Sequence, residues 1–179
     1  LVCGLGRCGT SMVCQMLNAG GLSVVGDYPA FETDCSLNVD MMLTALGQGN
    51  TVKCLDPSRL SLRNLKCPVV WLDRDLKQQA KSHIKFVRFV SGQEVSGQAW
   101  RILRRQLKRD RVRSFSALRA AGARLFITFS FEDILSDPLA SSQKLKSFFG
   151  LDLCVENMAR VVRPRSPKCL PGLLEFSML

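Results

Sequence analysis

Nothing in this sequence constrains the fold more than its first nineteen residues. A short apolar run, Leu1 to Cys3, leads into Gly4-Leu5-Gly6-Arg7-Cys8-Gly9-Thr10-Ser11. From Thr10 to Ala19 the apolar residues Met12, Val13, Met16 and Leu17 then recur at helical spacing. Strand, glycine loop, helix is the order in which main-chain N–H groups converge on an anion at the positive end of a helix dipole. The frame leaves two readings open: a phosphate-binding loop, or a glycine turn that joins a strand to a helix. It departs from the nucleoside-triphosphate version, which carries Lys where Thr10 stands. The nearby cation is Arg7, inside the loop.

The rest of the chain alternates. Leu22 to Val25 reads as a strand after Gly20-Gly21, Ser36 to Leu46 as a helix, and Thr51 to Leu55 as a strand closed by Asp56-Pro57. A helical stretch is expected from Ser58 to Leu65. Pro68 to Leu72 is a continuous apolar strand that stops at Asp73-Arg74-Asp75, and helical periodicity resumes from Leu76 to Val90. Gly92 and Gly97 bracket a break. A long amphipathic helix from Ala99 to Ala121 turns Trp100, Leu103, Leu107, Phe115 and Leu118 inward. Arg124 to Phe129 gives a further strand, and Pro138 to Phe149 a helix stopped by Gly150. This alternation predicts an α/β fold, a mostly parallel central sheet flanked by helices. With 179 residues, 46% of them apolar, and no linker or repeat, a single domain over 1–179 is expected. No run of eighteen apolar residues offers a transmembrane segment.

Charge narrows the partners. Lys and Arg number 25 against 15 Asp and Glu, a formal +10, which favours an anion: nucleic acid, nucleotide, sulfated glycan or acidic membrane. Nine of the cations fall between Gln98 and Arg124, with Asp110 the one acid among them. They form a solvated outer face or an anionic contact. One Tyr and two Trp offer little for base stacking, which disfavours nucleic acid. The eight cysteines include no CxxC pair and have only His83 for a histidine companion, so no metal site is expected. Several sit in apolar runs and read as small buried thiols, reduced in a cytoplasmic protein. The sequence begins at Leu1, already strand-like, which leaves a removed targeting segment open.

A second constellation sits at the end of the Pro68–Leu72 strand. Arg74 lies where an open α/β sheet binds ligands, and Ser82 follows eight positions later. Arg74 offers a planar fork to a phosphate; the competing reading is a salt bridge to Asp73 or Asp75. Together, the Gly4 to Ser11 loop, the Arg74 to Ser82 spacing, and Phe131-Glu132-Asp133-Ile134-Leu135 with Asp137-Pro138 and Phe148-Phe149-Gly150-Leu151 resemble the sulfotransferase family. That family uses 3'-phosphoadenosine 5'-phosphosulfate (PAPS) and releases adenosine 3',5'-bisphosphate (PAP). The likeness covers about 1–151, leaving a basic loop and tail over 152–179. Met12 to Gly21 with Val24-Val25 and Gly26-Asp27 is similar to bacterial sulfotransferase-type proteins.

The resemblance implies a P-loop NTPase-like sulfotransferase fold and sulfuryl transfer without a metal. It implies that Gly6, Arg7, Cys8, Gly9, Thr10 and Ser11 hold the 5'-phosphosulfate, Cys8 standing for the commoner Ser, and that Arg74 and Ser82 hold the 3'-phosphate. Lys53 resembles a second cation near the sulfate. Leu55 stands where many members carry a catalytic His, so the base is Glu32, with Asp34 close by, or Asp56. His83, next to Ser82 on its helix, is expected to face away from the 3'-phosphate. Arg163 and Arg165, with Lys168, match the family's closing basic loop in charge, although its Arg-x-Gly pattern is absent. The acceptor is a hydroxyl or amine, on a small molecule or an acidic glycan; oligomeric state is left open. Two alternatives remain: a non-catalytic PAP- or anion-binding module of the same fold, and a divergent P-loop kinase, which Thr10 disfavours.

Overall fold

A computed structural model describes residues 1–34, 38–92, 94, 96 and 98–163. In chain order the elements are β1 (Val2–Gly4), α1 (Thr10–Ala19), α2 (Val39–Gly47), β2 (Lys53–Leu55), a 3-10 turn (Pro57–Arg59), β3 (Val69–Asp73), α3 (Leu76–Ser91), α4 (Ala99–Ala120), β4 (Phe126–Ser130), α5 (Phe131–Ser136), α6 (Pro138–Phe149) and α7 (Val155–Arg160). The four strands form one sheet in the order β2-β1-β3-β4, every pairing parallel.

The sheet is covered on both faces, and strand alternation assigns each side chain to one of them. Cys3, Val69 and Trp71 point into a cluster with Met42 and Ala45 of α2 and Leu107 and Leu118 of α4. Val2, Val70 and Leu72 point the other way, onto Val13, Met16 and Leu17 of α1, Leu145 of α6 and Met158 of α7. The inward stripe of α4 falls as its periodicity predicts. Leu107 and Leu118 are buried, and Trp100, Leu103 and Phe115 pack against the same cluster. Side chains start four of the helices: Asn38, Asp75, Ser130 and Asp137 accept main-chain N–H groups ahead of α2, α3, α5 and α6.

Two expected elements differ. Leu22 to Val25 makes a single parallel bridge, Val24 to Thr51, rather than a strand. Gly21 and Gly26 at its ends have φ of 105° and 99°, which bends the chain away on both sides. The helix expected from Ser58 to Leu65 stops after the 3-10 turn: Leu60 is extended, and Asn64 is left-handed at φ 52°. Its leucines serve the core from an irregular path, Leu65 fully buried and Leu60 and Leu62 packed beside it.

Candidate active site

Register brings the site together at the carboxyl edge of the sheet. Gly4 pairs with both Leu55 and Leu72, and Asp73 with Ser130, so the segments beginning at Leu5, Asp56, Arg74 and Phe131 leave the sheet side by side. The glycine loop crosses this edge into α1. Gly9 caps that helix at φ 103° with no side-chain acceptor, and the first turn holds no acid, so the helix dipole there is not neutralised by its own sequence. A Cβ on Gly9 would lie 2.5 Å from the Phe131 ring, a clash added to a conformation that L residues avoid. Arg7 itself is left-handed, at φ 68°. From α3, the buried Gln79 amide donates to the carbonyls of Leu5 and Gly6 at 3.3 and 2.9 Å, pinning the loop.

Within the loop, side chains and main chain divide the work. Cys8 is buried, its sulfur 2.3 Å from where a Gly4 Cβ would be, and burial pushes its thiol up to about 12. Thr10 is buried as well. Both side chains pack inward, and the Cys8 sulfur faces the main-chain N–H groups of Cys8 and Thr10. Arg7 places its guanidinium over the Phe86 ring of α3, 4.9 Å from the centroid.

Arg74 turns toward the loop. Its side chain is 7% exposed, Nη1 donates to the Arg7 carbonyl at 2.9 Å, and the guanidinium lies 4.4 Å over the Phe131 ring. Among the described residues, the aspartates that competed for it are engaged elsewhere. Asp73 is paired with Arg111 of α4, and Asp75 caps α3 through the Gln78 N–H. Among the described residues, the carboxylate beside Arg74 is Glu132, 3.9 Å away. Ser82 is half-buried on α3, three residues after Gln79 and four before Phe86, hence on the helix face that meets the loop.

Lys53 and Glu32 meet, a pairing that neither the spacing nor the resemblance announced. Lys53 is fully buried at the start of β2, and its ammonium donates to Glu32, to the Ala30 carbonyl, and to Ser11 Oγ at 3.2 Å. An ammonium thus reaches the first turn of α1 from the neighbouring strand, while Thr10 holds the loop position where a triphosphate-binding loop carries its lysine. Glu32 is half exposed, open to solvent beyond its lysine contact.

Asp56 stands apart from that pair. It is left-handed at φ 48°, its carboxyl raised by burial and opposed by Arg59 and by the Gly6 N–H that it accepts. Beside Gly6 lies His83, its Nδ1 3.8 Å from the position of a Gly6 Cβ. Burial lowers its pKa, and Nδ1 has no hydrogen-bond partner among the described residues. His83 therefore faces the loop at Gly6. α3 rolls so that 79, 83 and 86 all meet it. Arg163 is exposed just past α7, while Arg165 and Lys168 fall outside the described residues.

Gln79, Phe86 and Phe131 also meet the loop or its arginines, which the sequence reading did not single out. The first two had a signal in their i, i+3 and i+4 spacing about Ser82, and Phe131 stood in a motif quoted only for its resemblance.

No protein-family model and no curated protein matches the sequence. A mouse sulfotransferase crystallised in complex with PAP does match in structure. Its TM-score is 0.59 at 12% identity, over 94% of this chain and 67% of that one. The chain has a sulfotransferase-like fold.

Proposed function

We propose that this protein transfers a sulfuryl group from PAPS to a hydroxyl or amine of an acceptor. One observation carries the reading. Arg74, next after the end of β3, is only 7% exposed and donates to the carbonyl of Arg7 in the glycine loop. Two cations from separate strand ends thus share one edge with an unneutralised helix N-terminus.

That donor set suits a doubly phosphorylated adenosine. Main-chain N–H groups of the loop, Arg7, and Ser11 backed by Lys53 serve the 5' end, while Arg74 and Ser82 serve the 3'-phosphate. The PAP in the mouse structure supports the same ligand class. When bound, PAPS supplies the activated sulfuryl group and a phosphate leaving group. Lys53 contributes a fixed positive charge at the first turn of α1, preorganised by three oxygen partners. Glu32, oriented by Lys53 and half open to solvent, takes the acceptor's proton.

Calorimetric titration tests this with PAP, with 5'-AMP, which lacks the 3'-phosphate, and with ATP and Mg2+. PAP should bind best. Arg74→Ala should weaken PAP by roughly 1.5–3 kcal/mol, about ten- to a hundredfold, and leave 5'-AMP little changed. Equal losses for both ligands would remove the 3'-phosphate from Arg74, and a preference for ATP with Mg2+ would favour the kinase reading.

A further inference from the structure

The site uses only the loop-facing side of α3, through Gln79, His83 and Phe86. The far end of α3 and the outer face of α4 remain unassigned. The two helices follow one another and pack side by side. Between Leu76 and Arg109 the sequence carries nine Lys and Arg against one acid, Glu94, and all nine cations are exposed. Glu94 already pairs with Arg88 at 3.6 Å. Arg101, Arg104, Arg105 and Lys108 line an open groove of about 470 Å³ beside Trp100, and Lys77 and Arg101 lie over that ring at 5.7 and 5.6 Å.

Apolar side chains gather at the same end of this pair. Where α3 stops and α4 starts, Val90 and Ile102 are 65% and 69% exposed, with Val87 also open to solvent. An acidic polymer would use the cations and leave these side chains in water. A nucleic acid would seek stacking faces, yet Trp100 is flanked by cations. A bilayer rich in acidic lipids uses both features: cations are held at the charged surface while aliphatic side chains pass below the headgroups.

We propose that the α3 and α4 pair docks this protein peripherally on an anionic lipid surface, Val90 and Ile102 entering the headgroup layer and the Arg and Lys face held against it. Among the described residues no helix is long and apolar enough to cross a membrane, so the contact is interfacial. Phe86, which carries the Arg7 guanidinium, directly precedes Val87, so the docked end adjoins the glycine loop. The inference holds whichever reaction the site performs.

Sedimentation of the full chain with vesicles tests it. One set is phosphatidylcholine alone, and the other contains roughly 30% phosphatidylserine. Wild type should partition at least about tenfold more onto the acidic vesicles, less so as salt rises. Val90→Asp/Ile102→Asp should lose about tenfold with every cation in place, and the milder Val90→Ser/Ile102→Ser should lose severalfold. Arg101→Gln/Arg105→Gln/Lys108→Gln should lose the preference for phosphatidylserine. Thermal melting checks that each variant is folded; these positions are exposed. Failure of wild type to sediment overturns the proposal. Tip variants that sediment like wild type also overturn it. So does retention on soluble polyglutamate or heparin without vesicle binding, which would assign the surface to an acidic macromolecule.

Discussion

A lysine withdrawn from water is costly unless its donors find oxygens, and among the described residues Lys53 finds three of them. The arrangement fixes Glu32 in place while leaving it half open, which suits a group that must collect a proton and release it. Glu32→Gln retains an amide oxygen for Lys53 and removes the basicity. Turnover should fall by about 10²- to 10⁴-fold while PAP affinity stays within about twofold. Unchanged turnover in a sulfation assay would shift the base to Asp56. His83 gives a second prediction, read in stability. Burial lowers its pKa from the ordinary 6.5, so the unfolded chain takes up a proton more readily than the folded one. Stability is therefore lost as pH falls through 6.5 toward the lower folded value, and the loss levels off beneath it. His83→Gln should flatten that part of a profile of urea midpoints against pH. A slope the variant leaves unaltered would place the titration elsewhere. Asp56 runs oppositely: its pKa is raised by burial, so its ionisation destabilises the fold as pH rises above the ordinary carboxylate value.

At the scale of elements, the site is a set of strand ends held by helix starts. Asp137 ends α5 and caps α6 through the Ala140 N–H at 2.9 Å, with Pro138 at the first position. Asp137→Ala should cost about 1 kcal/mol in chemical denaturation and leave PAP binding unchanged. A large loss of affinity would mean that this part of the motif reaches the ligand. The same caps show what the sequence made legible. α1, α4 and α6 combine a repeating apolar stripe with Gly or Pro at an end, and β3 is an apolar run with an abrupt charged stop; all were readable. α5 and α7 span six residues each, too short for a period to register, and α5 is set by the Ser130 cap and the burial of Ile134. The Ser58 to Leu65 segment misled because leucines spaced for a helix were serving an extended path. The place of Arg74 at the end of β3 was legible from the abrupt charged stop. Gln79 was not, because its carbonyl partners lie 74 and 73 residues away. Lys53 and Glu32 were singled out separately through family likeness, and their pairing was not foreseen, since nothing in a spacing of 21 residues announces an ion pair.

For the whole molecule, the charged helix α4 is tied to the sheet edge that carries the site. The excess of ten positive charges is concentrated on α3 and α4, and Arg111 of α4 is anchored to Asp73, one residue before Arg74. A ligand with two phosphate groups approaches through that field before touching any residue, and the field acts over about 10 Å at ~0.1 M salt. The consequence is kinetic. Raising salt from about 0.05 to 0.5 M should slow PAP association severalfold, with dissociation changed much less. Arg104→Gln/Arg105→Gln removes two exposed cations that no bond ties to the loop, and stopped-flow binding should show the same signature: slower association, dissociation within about twofold of wild type. If dissociation accelerates instead, those arginines touch the bound ligand, and the groove beside Trp100 becomes part of its site rather than an outlying source of attraction.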